Sequence, residues 1–169
     1  TRRSSDLSPY EPSYGLEDCK QAAQAFFSAH GYGDMALTFW QVYAGMATLS
    51  YAAVQDGVIL YPDLIKVQVR MDTLAIVGLE ARRYLSSHTQ RSSLTPAVSQ
   101  EEAQGAVSER LNVRQARLCV IPQNSRELLC WEFTGDYNGD TYYVYIDAQT
   151  GRQADIQKLV QSASGPMSE

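Results

Sequence analysis

Two stretches of this chain repeat one pattern of apolar and polar positions. Residues 36–81 can be laid over residues 116–158. In each, β-type runs lead through a Gly-marked turn to an alternating strand, Ile65-Lys66-Val67-Gln68-Val69 in the first and Tyr142-Tyr143-Val144-Tyr145-Ile146 in the second. A short Ala-rich helical pattern precedes each copy. In the first, Cys19, Ala22, Ala23, Phe26 and Phe27 fall at helical spacing, Asp18 and Gln21 are placed as a capping pair, and His30-Gly31 is the stop. In the second, Ser99 and Glu102 spell a capping box behind Val98, and Ala103, Ala106, Val107 and Leu111 line one helical face. A period of roughly eighty residues is too long for a solenoid unit and suits two small tandem domains.

The apolar runs of the first half predict strands over 35–42, 47–55, 58–61, 64–71 and 76–81. The separators Ala44-Gly45, Asp56-Gly57, Tyr61-Pro62-Asp63 and Asp72-Thr73 are all turn chemistry. A helix laid across one face of that meander is expected to bury Phe26, Phe39, Val67 and Val69 together. After a Ser- and Thr-rich spacer over 86–96, closed by Pro96, strands are expected over 117–121, 128–133 and 141–147. Residues 136–140, with Gly139, turn the chain, and Gly151 ends a second turn. Residues 155–160 read as a strand or as a helical turn. The prediction is an α+β chain with a disordered lead-in or linker end over 1–15, one domain over 16–87, a spacer over 88–97, a second domain over 98–163 and a tail over 164–169. Each domain is a helix packed on an antiparallel sheet.

Composition narrows the function. The chain of 169 residues has a net charge of −5 and scatters its 14 Lys and Arg, so no basic stripe exists to track nucleic-acid phosphates or an anionic membrane. No apolar run approaches the roughly 20 residues that cross a bilayer, and the first residues lack the apolar core of a signal peptide. Export therefore requires a signal outside this stretch. Three cysteines are an odd count, unlike a disulfide scaffold. A hairpin turning near Asn124 would set Cys119 opposite Cys130, either as a cross-strand disulfide or as two small apolar residues on a half-buried sheet.

Catalytic patterns are not found. His30 and His88 are the only histidines, lie far apart and read as a helix stop and a spacer residue, and no Cys or His pair has zinc-site spacing, so no metal or cofactor is expected. No phosphate loop and no nucleophile elbow occur. Asp56, Asp72 and Asp147 sit where turns want Asp, and Glu102 where a helix cap wants Glu. Two features read as contact surface. Tyr143 and Tyr145 share one face of a strand, as rings offered to a peptide or sugar or as a half-covered core. Tyr61, Pro62 and Asp63 form a corner, as a hairpin device or as a recognition loop.

The wording of the segments is more specific than their chemistry. YAAVQDGVILYPDLIKVQV, beginning at Tyr51, followed by Ile76-Val77-Gly78-Leu79-Glu80-Ala81, resembles the C-terminal region of the YpeB germination-protein family of endospore-forming bacteria. So do the stretches 118–122, 127–133 and 142–151. That region is built of tandem PepSY domains. The resemblance implies two of them here, in a non-catalytic spore protein held at the exported side of the inner membrane or cortex by an N-terminal anchor that this stretch lacks. It implies as partner the spore cortex-lytic enzyme SleB, bound so that each stabilises, localises or restrains the other. Two alternatives accompany it: a PepSY-type peptidase inhibitor or propeptide-like module, and a peptidoglycan-binding module. One departure from the family pattern is Asp72-Thr73-Leu74-Ala75, a turn without the usual glycine, where a looser or different hairpin is expected.

Overall fold

The computed structural model describes residues 11–162 and 165–168, with side chains for 11–160. The expected disorder of the lead-in lies, over residues 1–10, outside the described residues. The rest of the lead-in is anchored, because the Ser13 and Tyr14 N–H groups both donate to the Met71 carbonyl at 2.9 Å.

Helix α1 (Leu16–Ala29) precedes strands β1 (Met35–Tyr43), β2 (Met46–Gln55), β3 (Val58–Arg70) and β4 (Ile76–Glu80). Two short helices, α2 (Arg82–Ser87) and α3 (Gln100–Gln104), lead to β5 (Asn112–Gln123), β6 (Arg126–Tyr137), β7 (Asp140–Asp147), β8 (Gln153–Ser162) and β9 (Gly165–Ser168). The hairpin turns are two-residue loops with φ positive at both positions, at Ala44-Gly45, Asp56-Gly57, Asn124-Ser125 and Asn138-Gly139. That backbone matches the twist of the flanking strands.

The duplication is visible in the ladders. In β3–β4 the register slips between Gln68 and Val69, and in β7–β8 it slips between Tyr145 and Ile146. The bulge of β1, between Leu37 and Phe39, recurs in β5 between Val113 and Gln115. Ahead of α3, the Ala97 and Val98 N–H groups both donate to the Ala148 carbonyl, as Ser13 and Tyr14 do to Met71 ahead of α1.

The two halves are α+β units joined into one nine-stranded sheet. A short parallel pairing forms the seam, Ile59 with Cys119 and Leu60 with Val120. It exists because the β2–β3 hairpin runs three pairs past a wide bulge. Ala52 pairs with Leu64 and Ala53 with Leu60, which leaves Tyr61, Pro62 and Asp63 unopposed. The separate strands expected over 58–61 and 64–71 are therefore one. Pro62 does not end the strand because the bulge asks no ladder hydrogen bond of it.

Helices cover one face of the sheet. Cys19, Ala23 and Phe27 of α1 bury against Leu49, Tyr51, Ile65, Val67 and Val69, and Ala103 of α3 belongs with Phe133, Val144 and Ile146. Phe39 does not join the first core as expected, because the bulge after Leu37 reverses the alternation and turns it to the opposite face, where it lines the cleft described below. The first cap also differs. The helix is capped a turn earlier, by Gly15, whose N–H donates to Asp18 Oδ2 at 2.9 Å, so Gln21 lies inside the helix. The capping box of Ser99 and Glu102 is present, but the helix behind it ends at Gln104, so Val107 and Leu111 pack from irregular chain. Gly105, a weak helix former, is the first residue past it.

Residues 155–160 lie in a strand, and the tail adds a strand to the edge of β8 instead of hanging free. Cys119 and Cys130 stand opposite each other as the hairpin predicts, both fully buried and both free thiols. The glycine-free turn places Leu74 at φ 60.

Candidate binding cleft between the two halves

The uncovered face of the sheet curls so that β1–β3 look across at β7 and β8. A cleft of about 350 Å³ lies between them, lined by Thr38, Phe39, Tyr61, Lys66, Tyr143 and Tyr145 among others. Its floor is a cross-strand row that follows from register alone: Arg117 of β5 faces Glu132 of β6, which faces Tyr145 of β7, which faces Asp155 of β8.

Glu132 is fully buried, so its carboxylate must find partners. Arg117 Nε donates to Oε1 at 2.7 Å, and the Tyr61 hydroxyl, delivered from the first half by the bulge, donates to Oε2 at 2.5 Å. Arg117 Nη2 also reaches the Tyr61 hydroxyl at 3.1 Å. Burial, followed by the Glu132 charge, pushes the Tyr61 and Tyr145 phenols far above their ordinary range. Tyr143 is raised by the same two causes. Burial opposes the charge on Arg117, and the Glu132 carboxylate together with its other neighbours, Tyr61 foremost, outweighs it, so the guanidinium is held above its usual value. The tyrosines are neutral donors at any physiological pH, and the carboxylate is committed to a cation.

Asp63 leaves the same bulge for a second network. Its buried carboxylate takes both Nη1 and Nη2 of Arg91, the latter at 2.7 Å, and lies 2.7 Å from His88 Nδ1. Arg91 reaches on to Glu127 of β6 at 2.6 and 3.0 Å, and its main chain exchanges hydrogen bonds with the Gln55 amide. Hydrogen bonds that Arg91 donates to Glu127 and Asp63 hold its guanidinium well above its ordinary value. The spacer is thus a clasp that ties β3 to β6. His88 stacks on Tyr84 at 4.2 Å, and His30 closes α1, its Nδ1 2.8 Å from the Phe26 carbonyl.

Of the residues singled out in the sequence, Tyr61, Tyr143 and Tyr145 come together around this cleft although they belong to different halves. Tyr145 is only 5% exposed, so its ring is part of the floor and not a free platform. Pro62 and Asp63 are buried on the far side of the bulge, which makes the expected corner neither a hairpin turn nor an exposed loop. Sequence reasoning missed Arg117, Glu132, Arg91 and Glu127. The first two carried a signal, because the register that sets Cys119 opposite Cys130 also sets Arg117 opposite Glu132. Among the described residues no three His, Cys, Asp or Glu side chains are grouped to hold a metal ion. No helix among them is long and apolar enough to cross a membrane.

Comparison with known proteins places this architecture. Residues 8–94 match the family model described as YpeB sporulation, PepSY1 and PepSY2 domains, and residues 97–156 match that of the peptidase propeptide and YPEB domain. The chain is 32% identical over 150 residues to the sporulation protein YpeB of Halalkalibacterium halodurans, covering 88% of this chain and 34% of that protein. It is 32% identical over 147 residues to YpeB of Bacillus subtilis, covering 85% of this chain and 33% of that protein. The chain thus spans about a third of the length of these curated relatives. The solved Bacillus megaterium YpeB C-terminal domain superimposes with a TM-score of 0.81 at 26% identity, over 92% of this chain and 70% of that one. This chain belongs to the YpeB sporulation-protein family and carries its PepSY architecture.

Proposed function

We propose that this chain is a non-catalytic binding module of the spore, acting on the exported side of the inner membrane or at the cortex, that holds the cortex-lytic enzyme SleB and stabilises, localises or restrains it before germination. One observation supports the non-catalytic part: the buried ionisable groups of the cleft and clasp are spent on one another, Glu132 on Arg117 and Asp63 on Arg91. Family membership carries the spore setting. The partner follows from the resemblance in the wording of the strands.

The test is size-exclusion co-elution of this chain with the folded lytic enzyme. A complex supports the reading, and two separate peaks with both proteins folded would overturn it for this chain. Release of sugar from purified cortex by this chain alone would overturn the non-catalytic assignment.

A second reading has its own support, since residues 97–156 match a model whose description includes peptidase propeptides. On that reading the partner is a peptidase, and slowed substrate turnover across a peptidase panel would reveal it. Direct peptidoglycan binding rests on the tyrosines of the cleft. Retention on cortex that survives Tyr143→Ala unchanged removes it.

A further inference from the structure

We propose that the cleft between the two halves is a receptor for a single carboxylate carried on a short peptide, held by Lys66 and Arg83 on the wall that the first half supplies and by the Ser50 hydroxyl between the strands of that wall. The ladder register builds the wall as one cross-strand row: Phe39 of β1 faces Ser50 of β2, which faces Lys66 of β3. Leu49 and Tyr51, on either side of Ser50, turn to the opposite face and pack in the core under α1, so the Ser50 side chain points to the cleft. Arg83 reaches the same cleft from α2.

Ser50 is only 3% exposed, and its hydroxyl has no hydrogen-bond partner among the described residues; the Thr38 hydroxyl donates to its carbonyl instead, at 3.1 Å. A buried hydroxyl left without a partner costs free energy that a ligand oxygen would recover. Lys66 and Arg83 likewise make no ion pair among the described residues. Glu80 faces Lys66 across the ladder, but its carboxylate accepts the Arg82 N–H at 3.1 Å. On the opposite wall the Tyr143 hydroxyl is also unpartnered among the described residues. The open part of the cleft thus presents two unpaired cations and two free hydroxyls on a chain of net charge −5, while the charges of its floor cancel, Glu132 against Arg117. That excess of donors selects an anion.

The opposite wall limits the charge of that anion. Asp155 lines it, with its carboxylate accepting the Ile156 N–H at 2.8 Å and the Gln157 amide at 3.1 Å. Its negative charge favours a monoanion over a dianion such as phosphate. Phe39, Leu64 and Leu159 supply apolar contact for the residues that flank the carboxylate, and about 350 Å³ is at the small end of ligand pockets, so the peptide is short.

The inference deepens the binding-module reading, on which it rests for the source of the peptide, and is tested without the lytic enzyme. Four probes are titrated into the isotope-labelled chain and followed by NMR: acetyl-Leu-Glu-Leu-amide, its Gln counterpart, acetyl-Leu-Leu with a free C-terminus, and inorganic phosphate. The variants are Lys66→Gln, Arg83→Gln, Ser50→Ala and the control Arg110→Gln, which removes a charge from the helix-covered face. Circular dichroism verifies the fold of each. The Glu peptide is expected to bind at least about tenfold more tightly than its Gln counterpart, to weaken about tenfold with Lys66→Gln and with Arg83→Gln and about threefold with Ser50→Ala, and to be unaffected by Arg110→Gln. Tighter binding of the free C-terminus upholds the site and assigns its carboxylate to a chain end. Equal binding of the Glu and Gln peptides, failure of both carboxylate peptides to bind the wild type, or equal losses in Lys66→Gln and Arg110→Gln would overturn the site. Phosphate binding as tight as that of the carboxylates would overturn the single-charge assignment, and a Ser50→Ala chain that binds like the wild type would remove the hydroxyl from it. Peptide binding as expected, with the lytic enzyme eluting apart, would uphold the cleft and overturn the partner; the reverse pair of results would overturn the cleft and leave the partner standing.

Discussion

The two halves place different residues at one position, and the difference organises the molecule. Tyr51 pairs with Leu37 and Ile65 in the first half, and Gly135 pairs with Val113 and Tyr142 in the second. Over Tyr51 lies the last full turn of a 14-residue helix. Over Gly135 lie the Asn112 main chain and the Leu111 side chain, so close that a Cβ there would stand 2.7 Å from the Asn112 carbonyl oxygen and 2.8 Å from Leu111 Cγ. A short helix needs a small residue beneath its exit, and a long one needs a ring to pack on. A second contrast separates Asp63 from Asp140, each one residue before a matched ladder pair. Asp63 is buried and clasped by Arg91, whereas Asp140 is half-exposed and meets Lys158 at 2.9 Å. The first half carries the longer helix and the buried carboxylate, and the second the shorter helix and the half-exposed one.

Six substitutions break or sharpen this comparison. Phe27→Ala removes the ring that α1 seats on Tyr51 and is expected to cost about 3–5 kcal/mol in urea unfolding. Leu111→Ala, its half-buried counterpart, should cost clearly less. Asp63→Ala strands Arg91 without its buried partner and should cost about 3 kcal/mol, while Asp140→Ala stays within about 1 kcal/mol, as thermal melts of the pair would show. Gly135→Ala forces the Asn112 main chain aside for an expected loss of about 1–3 kcal/mol. Tyr51→Gly would cost more than that by opening a cavity, which reverses the usual ranking of the two residues.

Leu74→Gly is a smaller effect with two opposed parts. It relieves a left-handed backbone worth about 1 kcal/mol and forfeits the packing of Leu74 on the first core. A change in midpoint within about 1 kcal/mol of wild type is the expected outcome. The smallest effect is on pH dependence. Hydrogen bonds from the Ser99 main chain and hydroxyl hold Glu102 below the usual glutamate range. A depressed carboxylate stabilises the fold above its unfolded value and loses that contribution as pH falls through the folded one. Glu102→Gln should therefore flatten the acid limb of stability below about pH 4, measured by unfolding across that range.

The clasp and the cleft floor differ in how readily they could be read. The floor is local: once the turn at Asn124-Ser125 fixes the hairpin, Arg117, Glu132, Cys119 and Cys130 are paired by counting. The clasp is not, because Asp63, Arg91 and Glu127 lie on three separate segments, and nothing in their spacing says they meet. The Tyr61-Pro62-Asp63 corner reads as a turn in the sequence for the same reason. Proline and Asp are turn chemistry locally, and only the extra pairs beyond them show that the strand resumes. Phe39 lies on the face opposite to the one its sequence position suggests because a bulge shifts a period-two pattern without altering composition.

By itself the sequence determined the duplication, the two-residue turns, the capping box at Ser99 and most strand faces, since each depends on residues a few positions apart. The tertiary structure decided that β3 would outrun its bulge and pair with β5, which brings Tyr61 to Glu132 and Arg91 to Asp63. Local chemistry sets which way a side chain points, but which other side chain it meets depends on how two units share a sheet.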